Sequence, residues 1–316
     1  MFAQSARRRP VRRVRRLRTE MPPTHPHPPT PAGGARRADV NPSAIIVAGV
    51  CALIALLYAP LVLWIGRASV QLTQLSTGAV LVAVTLGIGL RDTWRTARPR
   101  PQVNAHGAML LAWAMISLGA ASYLPGWALP LVLLSFCLAV TAVVSFVFGQ
   151  VGVREFLPAI GGFFALGVLA GLFPTLDWPL RAIAGQQAGH LLALFGQSVE
   201  LAAVGHRPPE LLLRVAGRSY LVATECNGFG LLTSAVLVAT ILAFQARLPG
   251  LSKVGLIALA VPIAIAGNFL RIVGIALVAP RVPVPYGLIH EGVGLIFYGA
   301  GLGLIWFIAR KETSSC

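Results

Sequence analysis

Residues 43–65 read SAIIVAGVCALIALLYAPLVLWI, 23 consecutive positions without Asp, Glu, Lys or Arg. About 20 such residues suffice for a helix to cross ~30 Å of hydrocarbon. Seven further apolar runs follow, at residues 73–90, 107–124, 128–148, 156–172, 228–244, 254–278 and 288–309. Only 11% of the chain is charged, less than half of the ~25% usual in soluble domains. A membrane β-barrel would instead show ~10-residue segments of alternating polarity. The predicted fold is therefore an all-α integral membrane protein with about eight transmembrane helices and a small extracytoplasmic segment between spans five and six.

The net charge of +16 raises nucleic acid as a partner, but its distribution points to a membrane. Ten of the 26 basic residues lie within positions 1–37, and Arg91, Arg95, Arg98 and Arg100 crowd one connection. With the N-terminus in the cytoplasm and eight crossings, 19 basic residues fall on the cytoplasmic side and six outside, with Arg271 inside a span. Positive charge concentrates on the cytoplasmic side of membrane proteins, so both termini are expected there. The arginine-rich start then reads as a juxtamembrane tail attracted to anionic headgroups. No nucleic-acid partner is expected.

Five regions follow. Residues 1–42 form an Arg/Pro-rich cytoplasmic tail with the composition of a disordered linker, within which Met21 offers a second start. Residues 43–173 hold spans one to five, and 174–227 form the extracytoplasmic segment. Residues 228–309 hold spans six to eight, and 310–316 a cytoplasmic tail. Within the extracytoplasmic segment, GQQAGHLLALFGQSVELAAV repeats its apolar residues at helical spacing, with Gln187, His190, Gln197 and Glu200 interspersed. That pattern suggests an amphipathic helix at the membrane surface. LLLRVAGRSYLVATEC reads as a short hairpin turning at AGRS.

Three polar groups sit at comparable positions on spans six to eight. Cys226, in LVATECNGFG, precedes span six and is the one cysteine of four assigned to the outside; a single thiol there needs a reason. Arg271, in AIAGNFLRIVGIAL, lies 17 residues beyond Val254, about 26 Å along a helix, near the outer edge of span seven. A charge within a membrane costs about 2.5–3.5 kcal/mol even on lenient scales. Asn268 shares its helix face, three residues earlier. His290 opens span eight in PYGLIHEGVGLIFYG. The charge count that placed all three on the outer side used neither the cysteine nor the histidine.

Together they suit cysteine acyl chemistry. A thiolate is the reactive form and nearby cations favour it. Histidine can protonate a leaving amine, and arginine can stabilise an oxyanion in a poorly hydrated site. Glu225, Asn227 and Glu291 are flanking residues, with Glu225 and Asn227 as candidate supports. No Cys/His spacing suggests zinc, and no cofactor or metal is expected. The chain also lacks the GxSxG, HExxH and paired-glutamate patterns of other membrane proteases.

ECNG before one helix, GNFLRI near the end of the next and IHEGVG opening a third resemble the exosortase/archaeosortase family, over roughly Tyr220 to Phe307. The resemblance implies a multi-pass cysteine transpeptidase of the cell membrane, with Cys226 as nucleophile, His290 as acid/base, Arg271 as oxyanion- or substrate-stabilising residue and Asn268 in support. It implies exported protein substrates bearing a C-terminal signal (a short motif, a transmembrane helix and a basic tail), cleaved at the outer face. It also implies transfer to a membrane-lipid or polysaccharide-linked surface acceptor. Asn227 stands where the best-known form of the family has serine. A membrane cysteine endopeptidase without transfer, a transporter binding an anion at Arg271, and an assembly protein of a polysaccharide system are the alternatives.

Overall fold

A computed structural model describes residues 42–204, 210–222 and 227–314. Residues 1–41 of the expected tail at 1–42 and two site residues, Glu225 and Cys226, lie outside the described residues. The chain runs α1 (Pro42–Gln71), α2 (Thr73–Thr96), α3 (Ala105–Tyr123), a 3-10 turn (Pro125–Trp127), α4 (Ala128–Leu194), strands β1 (Val199–Val204), β2 (Glu210–Val215) and β3 (Arg218–Val222), then α5 (Phe229–Gln245), α6 (Gly250–Val278) and α7 (Tyr286–Ser314). The molecule is mostly helical. Among the described residues, six helical segments are long and apolar enough to cross a membrane: α1, α2, α3, α4 with the turn before it, α6 and α7. Helix α5 is apolar but shorter, at 17 residues.

A straight 67-residue helix would measure about 100 Å, far beyond any bilayer, and α4 is not straight. At Gly149 the backbone takes φ 66°, ψ −160°, a region that is essentially glycine's alone. There the chain doubles back. Cys137 Sγ lies 3.7 Å from the carbonyl of Ile160, and Gly167 and Gly171 lie against Leu133 and Leu129. These small residues, four apart, let the two arms approach closely, as in membrane helix pairs. The expected spans at 128–148 and 156–172 are thus the two arms of one hairpin.

Helix α5 lies at the centre. Most of its residues are buried, Phe229, Leu237 and Ala239 completely, against α2, α4, α6 and α7. The outer helices instead expose large apolar side chains, such as Leu56 at 77%, Leu251 at 87% and Leu295 at 72%. Apolar patches of that extent belong to a surface in contact with lipid. The basic connections converge at one end of the bundle. Arg100 N–H donates to Val147 O at 2.9 Å and Gln102 N–H to Phe146 O at 2.9 Å; Arg247 pairs with Glu155 at 3.7 Å.

At the opposite end stands a three-stranded antiparallel sheet in the order β1-β2-β3. β2 and β3 form the expected hairpin, closing through Ala216 and Gly217, both at positive φ, as a two-residue hairpin loop requires. The helical reading of SVELAAV is corrected: residues 199–204 form β1, paired along β2 from Val199↔Val215 to Val204↔Glu210. The helix before it ends at Leu194, and a glycine at positive φ follows at Gly196. Leu211, Leu213 and Val215 of β2 pack with Ala184, Ala188 and Leu192 of α4 and with Ile272, Val273 and Ala276 of α6. That cluster anchors the sheet beside the last turns of α6.

Candidate active site

Helix α5 opens with an unusual joint. Asn227 is 1% exposed, and its side-chain oxygen accepts the N–H of Phe229 at 2.7 Å, satisfying one of the donors a helix start leaves free. Its amide nitrogen donates to Asp177 of α4. Asp177 also accepts from Arg181 one turn on, through Nε at 3.2 Å and through a second guanidinium nitrogen. Arg181 is 8% exposed. A buried guanidinium is tolerable only when paired, and Asp177 supplies that pair while clamping the residue next to Cys226.

Gly228 comes next, with φ 81°. A Cβ there would sit 2.6 Å from the side chain of Asn268, so the left-handed backbone and the close approach both demand glycine. The start of α5 therefore rests directly on Asn268 of α6, itself 2% exposed. This contact ties the segment following Cys226 to the helix face that carries Arg271.

Arg271 reaches across to α7. Its terminal nitrogen lies 3.1 Å from Nε2 and 3.5 Å from Nδ1 of His290. A guanidinium has only donors, so the ring nitrogen it meets offers a lone pair. One turn beyond His290, Gly294 leaves room for the guanidinium: a Cβ there would be 3.0 Å from Arg271 Nε. The ring of Tyr286 lies 5.9 Å from that of His290 and tilted by 35°, bracing the imidazole from the start of α7. The structure thus brings Asn227, Asn268, Arg271 and His290 to one end of the bundle, where α5 begins. Cys226, one residue before Asn227, and Glu225 lie outside the described residues. Glu291 is exposed.

Beside Arg271 a cavity of about 320 Å³ opens between α2, α5, α6 and α7, with Thr77, Ser234 and Tyr298 among its walls. Its size falls at the lower end of the range of ligand pockets.

Sequence reasoning missed Asp177 and Arg181, entering the arginine only in a charge count. One signal was available: Asp177 is the sole acid between Glu155 and Glu200, next to a long apolar run. An isolated acid in such a place calls for a partner. The polar wall formed by Thr77 and Ser234 left no comparable trace, since single hydroxyls are common in membrane helices.

A family model described as transmembrane exosortase (Exosortase_EpsH) matches residues 70–307, about three quarters of the chain. The match runs from the end of α1 to Phe307 in α7 and includes every residue of the site. No curated protein and no solved structure matches the chain.

Proposed function

The chain belongs to the transmembrane exosortase family, and on that premise we propose that it is a membrane-embedded cysteine transpeptidase acting at the outer face of the cell membrane. Its substrates are exported proteins ending in a short motif, a transmembrane helix and a basic tail. It removes that C-terminal signal and passes the protein to a lipid- or polysaccharide-linked acceptor. The two arms of α4, the central α5 and the five other long helices make eight crossings in this reading. Both termini then lie in the cytoplasm.

The observation that supports it most is the contact between Arg271 and His290, beside a helix start held by Asn227 and Asn268. Cys226 immediately precedes that start. In the proposed first step the guanidinium of Arg271 turns from His290 to the scissile carbonyl, and the imidazole nitrogen it leaves takes the thiol proton of Cys226. The thiolate then attacks the scissile carbonyl, and its oxygen becomes an oxyanion facing Arg271. As the C–N bond breaks, His290 returns the proton to the leaving amine, and an acyl thioester remains on Cys226. An acceptor hydroxyl or amine, deprotonated by His290, attacks that thioester and regenerates the thiol. Water in place of the acceptor would give plain hydrolysis.

Arg271→Lys tests the assignment, because lysine keeps the charge while losing the planar fork that meets His290. We expect cleavage of a co-expressed substrate to fall about 10²- to 10³-fold, the usual cost of removing one oxyanion donor, with the protein still present at normal levels. Undiminished cleavage in both Arg271→Lys and His290→Gln would remove the pair from the reaction.

A further inference from the structure

Helices α1 and α3 both pack on the first arm of α4, and a chain of hydroxyls ties them together through it. Tyr58 of α1 donates to the hydroxyl of Ser135 in α4, which donates in turn to Ala114 O of α3 at 2.6 Å. Between that tie and the basic connections a groove of about 370 Å³ opens. Ile46 and Val50 of α1 form one side, Leu111 and Met115 of α3 the other, and Phe146 of α4 the floor. Its described lining is apolar throughout, and Ile46 and Met115 are each more than half exposed.

The length of the groove limits what can occupy it. From Ala108 to Met115 it follows α3 for seven residues, about 10 Å. One leaflet contributes about 15 Å to a ~30 Å hydrocarbon core, so the groove stays within a single leaflet. A partner helix would need both leaflets and a width of about 10–12 Å, and the tie at Ser135 ends the groove short of the second. A single acyl chain fits.

Lipid tails are as apolar as these walls, so burial alone favours no lipid over another. Charge at the mouth does. Gln102 N–H donates to Phe146 O and Arg100 N–H to Val147 O, both at 2.9 Å. These bonds pin the connection carrying Arg98 and Arg100 to the open end of the groove, where Val103 is part of the lining. Both guanidinium side chains are exposed. Residues 93–154 contain no acid, and the flanking Asp92 and Glu155 pair with Arg91 and Arg247. A guanidinium meets a phosphate through two parallel N–H bonds. A basic tail following a partner helix would be repelled at this mouth, whereas a phosphate ester of net negative charge would be held.

We propose that the groove seats one chain of an anionic diacyl phospholipid, from the leaflet bordering the basic connections, with its phosphate on Arg98 and Arg100. The seat lies at the opposite end of the bundle from Arg271 and is independent of the transpeptidase reading.

The test is native mass spectrometry of the purified full-length chain, delipidated and then offered equal amounts of phosphatidylglycerol and phosphatidylcholine with identical acyl chains. We expect the most firmly retained lipid to be phosphatidylglycerol, favoured about tenfold, since each arginine near an anionic headgroup adds several-fold. Arg98→Gln with Arg100→Gln should bring the two lipids close to parity. Ala112→Phe fills the groove that Ala112 lines and should cut retained phosphatidylglycerol several-fold with every charge in place. Ala108→Leu fills it from the adjacent turn, with the same expectation. Diffuse attraction to other basic residues is read from Arg247→Gln with Lys253→Gln, which removes two charges beside the α5–α6 connection and should leave the preference intact. Thermal midpoints without added lipid show that each variant is folded. Parity in the wild type, a preference kept without Arg98 and Arg100, undiminished retention in both filled variants, or an equal loss in the Arg247/Lys253 variant overturns the seat.

Discussion

Asp177 bonds two buried side chains, the guanidinium of Arg181 and the amide of Asn227. Removing one member of a buried pair typically costs about 3–5 kcal/mol, chiefly because the other charge is left uncompensated. Asp177→Ala should therefore lower the thermal midpoint of the detergent-solubilised protein sharply. The double change Asp177→Leu with Arg181→Leu should restore part of that loss, since no lone charge remains. A double variant as unstable as the single one would contradict the clamp. Gly228→Ala strikes the same joint from the other side, where the new methyl would meet Asn268 at 2.6 Å. It should abolish cleavage, and full activity would show that this close approach is dispensable. The residues of this joint were unequally legible. Asn268, Arg271 and His290 stood out because polar groups in apolar helices are costly and therefore few. The clamp did not, because its two ends lie 50 positions apart and only folding shows that they meet.

At the scale of elements, hydrophobic runs were read well and their connections less so. A run of apolar residues reports burial in lipid directly, and all seven α-helices begin within four residues of an expected span. The far end of α4 is where the reading fell short. Helix α4 continues through Pro174 and Pro179 to Leu194, although proline usually ends a helix by removing a donor and crowding the turn before it. The Asp177–Arg181 pair and the packing of Ala184 and Ala188 on the sheet hold it together beyond those prolines. Strand β1 was misread because VELAAV carries no clear alternation of its own, and its partner β2 settles its conformation. Gly149 makes the corresponding prediction. Placing valine at φ 66°, ψ −160° should cost about 1–3 kcal/mol and loosen the α4 hairpin, seen as a lower thermal midpoint. Gly87→Ala on α2, where a Cβ meets nothing within 4 Å, should have no such effect. Equal behaviour of the two variants would remove Gly149 as the pivot.

For the whole molecule, the basic connections gathered at one end and the polar cluster at the other fit one orientation in the membrane. In a chain whose native cysteines are replaced, a single Val282→Cys should react with an impermeant maleimide in intact cells. Arg98→Cys should react only after permeabilisation. The opposite pattern would invert the protein and place its site in the cytoplasm. The central claim is that a thiol at position 226 cleaves and transfers substrate. Its most direct test is mass spectrometry of a co-expressed exported protein with a C-terminal helix and basic tail, in cells making wild type, Cys226→Ala or Cys226→Ser. We predict loss of the helix and a new C-terminus bearing the mass of an acceptor, in wild type alone. Processing that persists in both variants would contradict the account.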